Sequence, residues 1–170
     1  MAHGLSEPLL VKFKQAIEKG LPEDIREAAE RTVVAGMKLL YSDQTHQAVQ
    51  KIYGQLQAGG FKAEEIANGM VNLLGLLYRA SKGNMPLEGA YPAGAILLCY
   101  VLDDLKQQFQ LKITPELIKN VANAMVPRFA KAFGLTNPGG AGNPTQPAGP
   151  NGATAPPGLA STIPSTQGAM

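Results

Sequence analysis

An all-α fold is what this sequence predicts, a compact bundle of five to six helices followed by an extended or disordered Gly/Pro-rich C-terminal tail. Three observations predict it. Apolar residues recur at three- and four-residue spacing through most of residues 1–135. Helix start and stop residues stand at the ends of those periodic stretches. Nowhere does the chain show the strict alternation of a half-buried strand.

Ser6 is the expected N-cap of a first helix running to Gly20, with Leu9, Leu10, Phe13 and Ile17 on one stripe and Gly20 just past its end. Pro22 opens a second helix, where its missing N–H costs nothing, and Glu23, Asp24 and Glu27 complement the positive end of the helix dipole. The inward set of that helix is Ile25, Ala29, Val33, Met37 and Leu40. Ser42-Asp43 reads as the next capping signal, opening a helix with Val49, Ile52, Tyr53 and Leu56 inward, and Gly59-Gly60 stops it. A fourth helix is expected from about Ala63 to Ser81, with Ile66, Met70, Leu73, Leu74 and Leu77 at helical spacing.

The stretch 82–91 holds Gly83, Asn84, Pro86 and Gly89 and reads as an internal loop, after which Pro92 restarts a helix to about Phe109. Thr114-Pro115-Glu116 supplies an N-cap, a first-position proline and an acidic first turn in order. The helix it opens carries Leu117, Ile118, Val121, Met125, Phe129 and Phe133 to Gly134, with Pro127 inside it expected to kink or split it.

Charge divides the chain in two. The 170 residues carry 15 Lys+Arg and 13 Asp+Glu, a formal net charge of +2, and only 16% of positions are charged. An ordinary soluble domain carries about 25%. The last charge is Lys131, so all 28 fall within residues 1–135, and residues 136–170 have none. Those 35 residues contain seven Gly and seven Pro, with only Leu159, Ile163 and Met170 as larger apolar groups. Such a composition buries too little apolar surface to offset the entropy of ordering it, so taken alone it is expected to be disordered or extended. The domain organisation read here is a helical bundle domain over 1–135 and an uncharged low-complexity tail over 136–170.

The residue types that carry chemistry are sparse. His46 follows Asp43 by three positions, a spacing that would put an orienting carboxylate and a base on one helix face; a surface position accounts for the pair more simply. Cys99 is the one cysteine and lies in an apolar helical run, where it reads as a small buried hydrophobe. Of the acidic pairs, Glu23-Asp24 and Glu64-Glu65 fall in first helical turns, and Asp103-Asp104 reads as part of a solvated face. The sequence contains neither a zinc-protease HExxH nor a phosphate-binding GxxxxGK[ST] or GxGxxG. No catalytic residue, cofactor site or metal site is therefore assigned, and an enzyme is not expected.

Two uncharged runs, 66–78 and 89–102, are shorter than the roughly 20 residues of a membrane-spanning helix. Membrane contact through 66–102 would need a rearrangement. No signal peptide is read at the start, where an amphipathic charged segment follows Gly4. Lys106, Lys112, Lys119, Arg128 and Lys131 face only Glu116 among acids between 106 and 131, a local excess that could touch phosphates. These five residues carry an alternative reading as a small helical nucleic-acid-contacting or regulatory domain.

A small helical domain of low charge, joined to the tail that runs from Asn137-Pro138-Gly139-Gly140-Ala141-Gly142-Asn143-Pro144 to Gly168-Ala169-Met170, resembles small bacteriophage virion structural proteins of the internal or ejection type. The resemblance implies a non-catalytic structural or assembly subunit of a larger particle, located in a virion or in the cytoplasm. It implies other protein subunits as partners, in a homo- or hetero-oligomer. Contacts would run through apolar helix faces and the tail, with Leu159 and Ile163 as candidate anchors.

Overall fold

The computed structural model describes residues 4–135, and among them it contains six α-helices and no strand. They are α1 (Pro8–Gly20), α2 (Glu23–Leu40), α3 (His46–Ala58), α4 (Ala63–Ala80), α5 (Leu87–Phe109) and α6 (Pro115–Ala132). Helix α5 packs chiefly against α2 and also against α1 and α4, while α6 packs against α4 and α3 closes on α4. The α2–α5 crossing depends on small residues. A Cβ at Gly89 would lie 2.7 Å from the Ala29 backbone nitrogen, and one at Gly36 would collide with Leu97. The centre of the core is Leu97, Leu98, Leu102 and Leu105 of α5 with Ile66, Met70 and Leu74 of α4 and Met125 of α6, all at most 2% exposed.

Several ends form as the sequence dictates. Thr114 accepts the Leu117 N–H at 3.1 Å as the N-cap of α6. At the other end of α6 the Leu135 N–H reaches back to the Ala130 carbonyl, with Gly134 left-handed at φ 68°. The same closure ends α4 without glycine at the turning position: Lys82 adopts φ 54°, and the Gly83 N–H bonds the Tyr78 carbonyl.

Other ends differ from expectation. The N-cap of α1 is Glu7, whose side chain accepts the Leu9 N–H, because Ser6 is drawn away to Asp103 of α5. Helix α3 starts at His46 rather than beside Ser42-Asp43, since the Ser42 carbonyl first closes a turn by accepting the Thr45 and His46 N–H groups. The expected loop 82–91 is shorter, and α5 begins at Leu87 with Pro92 inside it. Likewise Pro127 does not split α6, which continues to Ala132. One reason covers both prolines. Each removes a single bond, to the carbonyls of Glu88 and Asn123, and both of these residues are exposed, so water can take the freed acceptor.

Candidate functional site

The polar centre of the domain is built from one helix turn of α5. Asp103 follows Ile96 by seven residues and Cys99 by four, so it shares their inward stripe and is only 4% exposed. This corrects the expectation of a solvated Asp103-Asp104 face: helical position outweighs residue type when donors are waiting. The Asp103 carboxylate accepts the Ser6 N–H at both oxygens (3.1 and 3.2 Å), the Ser6 hydroxyl at 2.7 Å, the Glu7 N–H at 3.1 Å and the Gln107 amide at 2.8 Å. It thereby binds the start of α1, whose first N–H groups have no partner within their own helix. Beside it, Lys106 donates to Glu7 at 2.5 Å. That hydrogen bond, helped by the Leu9 N–H, holds the Glu7 carboxyl below the usual glutamate range.

Half-buried Asp104 turns the other way and accepts both the Tyr41 and the Tyr53 hydroxyls, each at 3.0 Å. Burial first, and then the neighbouring Asp104 charge, pushes both phenols well above their ordinary range. Phenols raised in this way remain O–H donors at neutral pH and do not serve as bases. The cluster therefore holds α1, α2, α3 and α5 together. Sequence reasoning missed it, although the four-residue step from Cys99 to Asp103 was a usable signal.

The remaining candidates are placed as follows. Cys99 is fully buried, its Sγ donating to the Ala95 carbonyl at 3.5 Å, and burial pushes its thiol up to about 12. Asp43 and His46 are both exposed, and no hydrogen bond or ion pair joins them. No group of three His, Cys, Asp or Glu side chains among the described residues could hold a metal ion. No described helix is long and apolar enough to cross a membrane. Leu159 and Ile163 lie outside the described residues.

The five basic candidates do not gather. Lys106 is held by Glu7 beside the start of α1. Lys112 is exposed in the connection between α5 and α6. Lys119 lines a shallow cleft with Leu9, Phe13 and Ile118. Arg128 and Lys131 line a separate groove against α3 and α4, where Arg128 donates to Asn68 at 2.6 Å and to the Ala124 carbonyl at 2.9 Å. Lys119 and Arg128 are nine residues apart on α6, two and a half turns, and so project to opposite sides.

A mainly apolar groove of about 790 Å³ lies between α1 and α2, floored by Ala29, Val33 and Ile96. Its rim carries Glu18, Lys19, Arg26 and Glu30, two acids and two bases. On its edge stands Val34 at 55% exposure, the most exposed large hydrophobic residue of those described. Single exposed valines are common, but this one continues an apolar floor. Compared with protein-family models, curated proteins and solved structures, the chain matches none of them.

Proposed function

We propose that this protein is a non-catalytic structural or assembly subunit of a larger multi-chain particle, such as a phage virion, as a tail, channel or ejection component. Its contacts run through apolar helix faces and the uncharged C-terminal tail. The observation that carries this reading is the α1–α2 groove, where an apolar floor meets an exposed Val34. The polar centre supports it from the other side. Asp103 and Asp104 are occupied in joining helices, the Tyr41 and Tyr53 phenols are held as donors, and the Cys99 thiol is buried and hard to ionise. None of these groups is poised to take a proton or attack a substrate.

The virion setting rests on the resemblance of the helical domain and the 35-residue uncharged tail to internal virion proteins. Contact with nucleic acid through Lys106–Lys131 gains no comparable support, because those residues point to separate surfaces. The test is the native mass of the species that contains the full-length chain in its source. A defined complex far heavier than the 17.9 kDa chain is expected. A free 17.9 kDa chain in every native preparation overturns the reading.

A further inference from the structure

We infer that the α1–α2 groove is a self-association surface, occupied by α2 of a second copy of this chain lying antiparallel across a two-fold axis. This rests on the assembly reading and names the partner at one of its faces. Charge complementarity carries the choice. Along α2 the groove side presents Arg26 and Glu30, and the neighbouring side, about 100° round the helix, presents Glu27 and Arg31. Glu27 and Arg31 pair with each other within the helix, with the acid toward the N-terminus, which is the favourable order. Arg26 and Glu30 have the same spacing in the reverse order, and neither enters an ion pair among the described residues; the Arg26 guanidinium donates to the Leu21 carbonyl. Both are exposed beside Val34.

An isologous interface needs a patch that complements itself. Antiparallel α2 helices related by a two-fold axis level with Ala28 place Arg26 of each copy opposite Glu30 of the other, twice. The same register brings Val34 of each copy to Leu21 and Pro22 of the other, covering the exposed apolar edge. The two acid–base pairs thus lie about 6 Å apart at the centre of the interface, and the apolar contacts of Val34 flank them on either side. A partner of strongly acidic or strongly basic surface would leave half of this rim opposed by like charge.

The experiment uses the full-length chain in sedimentation equilibrium, with Val34→Asp, Arg26→Glu and Glu30→Arg as variants and circular dichroism as a check on folding. Wild type is expected to dimerise, and Val34→Asp to weaken the dimer at least about tenfold, as charging a buried interface residue does. Arg26→Glu and Glu30→Arg should each weaken self-association, because each opposes like charges twice. Mixed in equal amounts they should form a heterodimer, since both pairs are then restored. Wild type that stays monomeric overturns the inference, as does a dimer indifferent to Val34→Asp or a mixture that recovers nothing. If the isolated chain is monomeric yet enters a heavy native complex through Val34, the face belongs to a different protein; the second-copy assignment then fails while the assembly reading stands.

Discussion

Helices α5 and α2 lie against each other through glycines, yet one faces inward on nearly every side and the other on only one. Thirteen of the 23 residues of α5 are buried, against four of the 18 in α2, so α5 has no outer face to spare along most of its length. Even its two aspartates are committed: Asp103 to the start of α1, Asp104 to Tyr41 and Tyr53. Among the described residues no buried side-chain nitrogen or oxygen lacks a partner. Helix α2 shows the same residue classes outward, with Val34 exposed and Arg26 and Glu30 outside every ion pair of the described residues. The difference separates what specifies the fold from what remains available to bind. Substitutions on α5 should cost stability, while those on the outer face of α2 should alter association and leave stability within about 0.5 kcal/mol.

The largest loss is expected where the two helices meet. At Gly89 even a methyl group would press on backbone, 2.7 Å from the Ala29 nitrogen and 2.8 Å from the Ala28 carbonyl carbon. Backbone cannot rotate away as a side chain can, so Gly89→Val should destabilise by about 3 kcal/mol or prevent folding. Gly54 offers the control, an exposed helical glycine of α3 with nothing within 4 Å of a new Cβ. Gly54→Ala should stabilise by about 0.5–1 kcal/mol, because it removes only unfolded-chain freedom. Urea denaturation of both variants measures the contrast; equal stability would mean that α2 and α5 do not approach closely at Gly89.

Next in size is the polar anchor. Asp103→Asn keeps the shape but turns an amide NH2 toward the N–H groups of Ser6 and Glu7 or toward Gln107, leaving part-buried donors without their acceptor. A loss of about 1–3 kcal/mol is expected, together with faster hydrogen exchange in the first turn of α1. Unchanged exchange there would show that Asp103 does not hold α1.

Much of this architecture was legible in the sequence. Apolar spacing placed all six helices, and Thr114-Pro115 and Gly134 bounded α6 by local chemistry alone. Pro92 and Pro127 misled because a proline reads as a break, whereas its effect depends on whether the carbonyl four residues earlier is open to water. Asp103 and Asp104 misled for the opposite reason. Their type suggests solvent, but their donors come from residues up to 97 positions away, and no local pattern reports such partners. The groove was legible only in part: the α2 stripe that puts Val33 inward also left Val34 beside it, and its exposure depends on how α1 packs.

The smallest effect expected on the interior side tests whether the Glu7–Lys106 pair adds to the anchor at Asp103. Glu7 is a glutamate whose folded pKa is depressed, mainly by the hydrogen bond from Lys106. A depressed carboxyl contributes stability that is fully present above its unfolded value, near 4.5, and is lost as pH falls through the lower folded value. Wild type should therefore exceed Glu7→Gln in melting temperature by a small constant amount from pH 6 to 8, and the gap should close below pH 4.5. The pair is solvent-accessible, so raising the salt at neutral pH should narrow the same gap. Thermal melts across pH and salt read both trends. A gap that persists unchanged in acid would show that the Glu7 charge adds nothing through Lys106 or Leu9, and would leave the Asp103 carboxylate as the polar tie between α1 and α5.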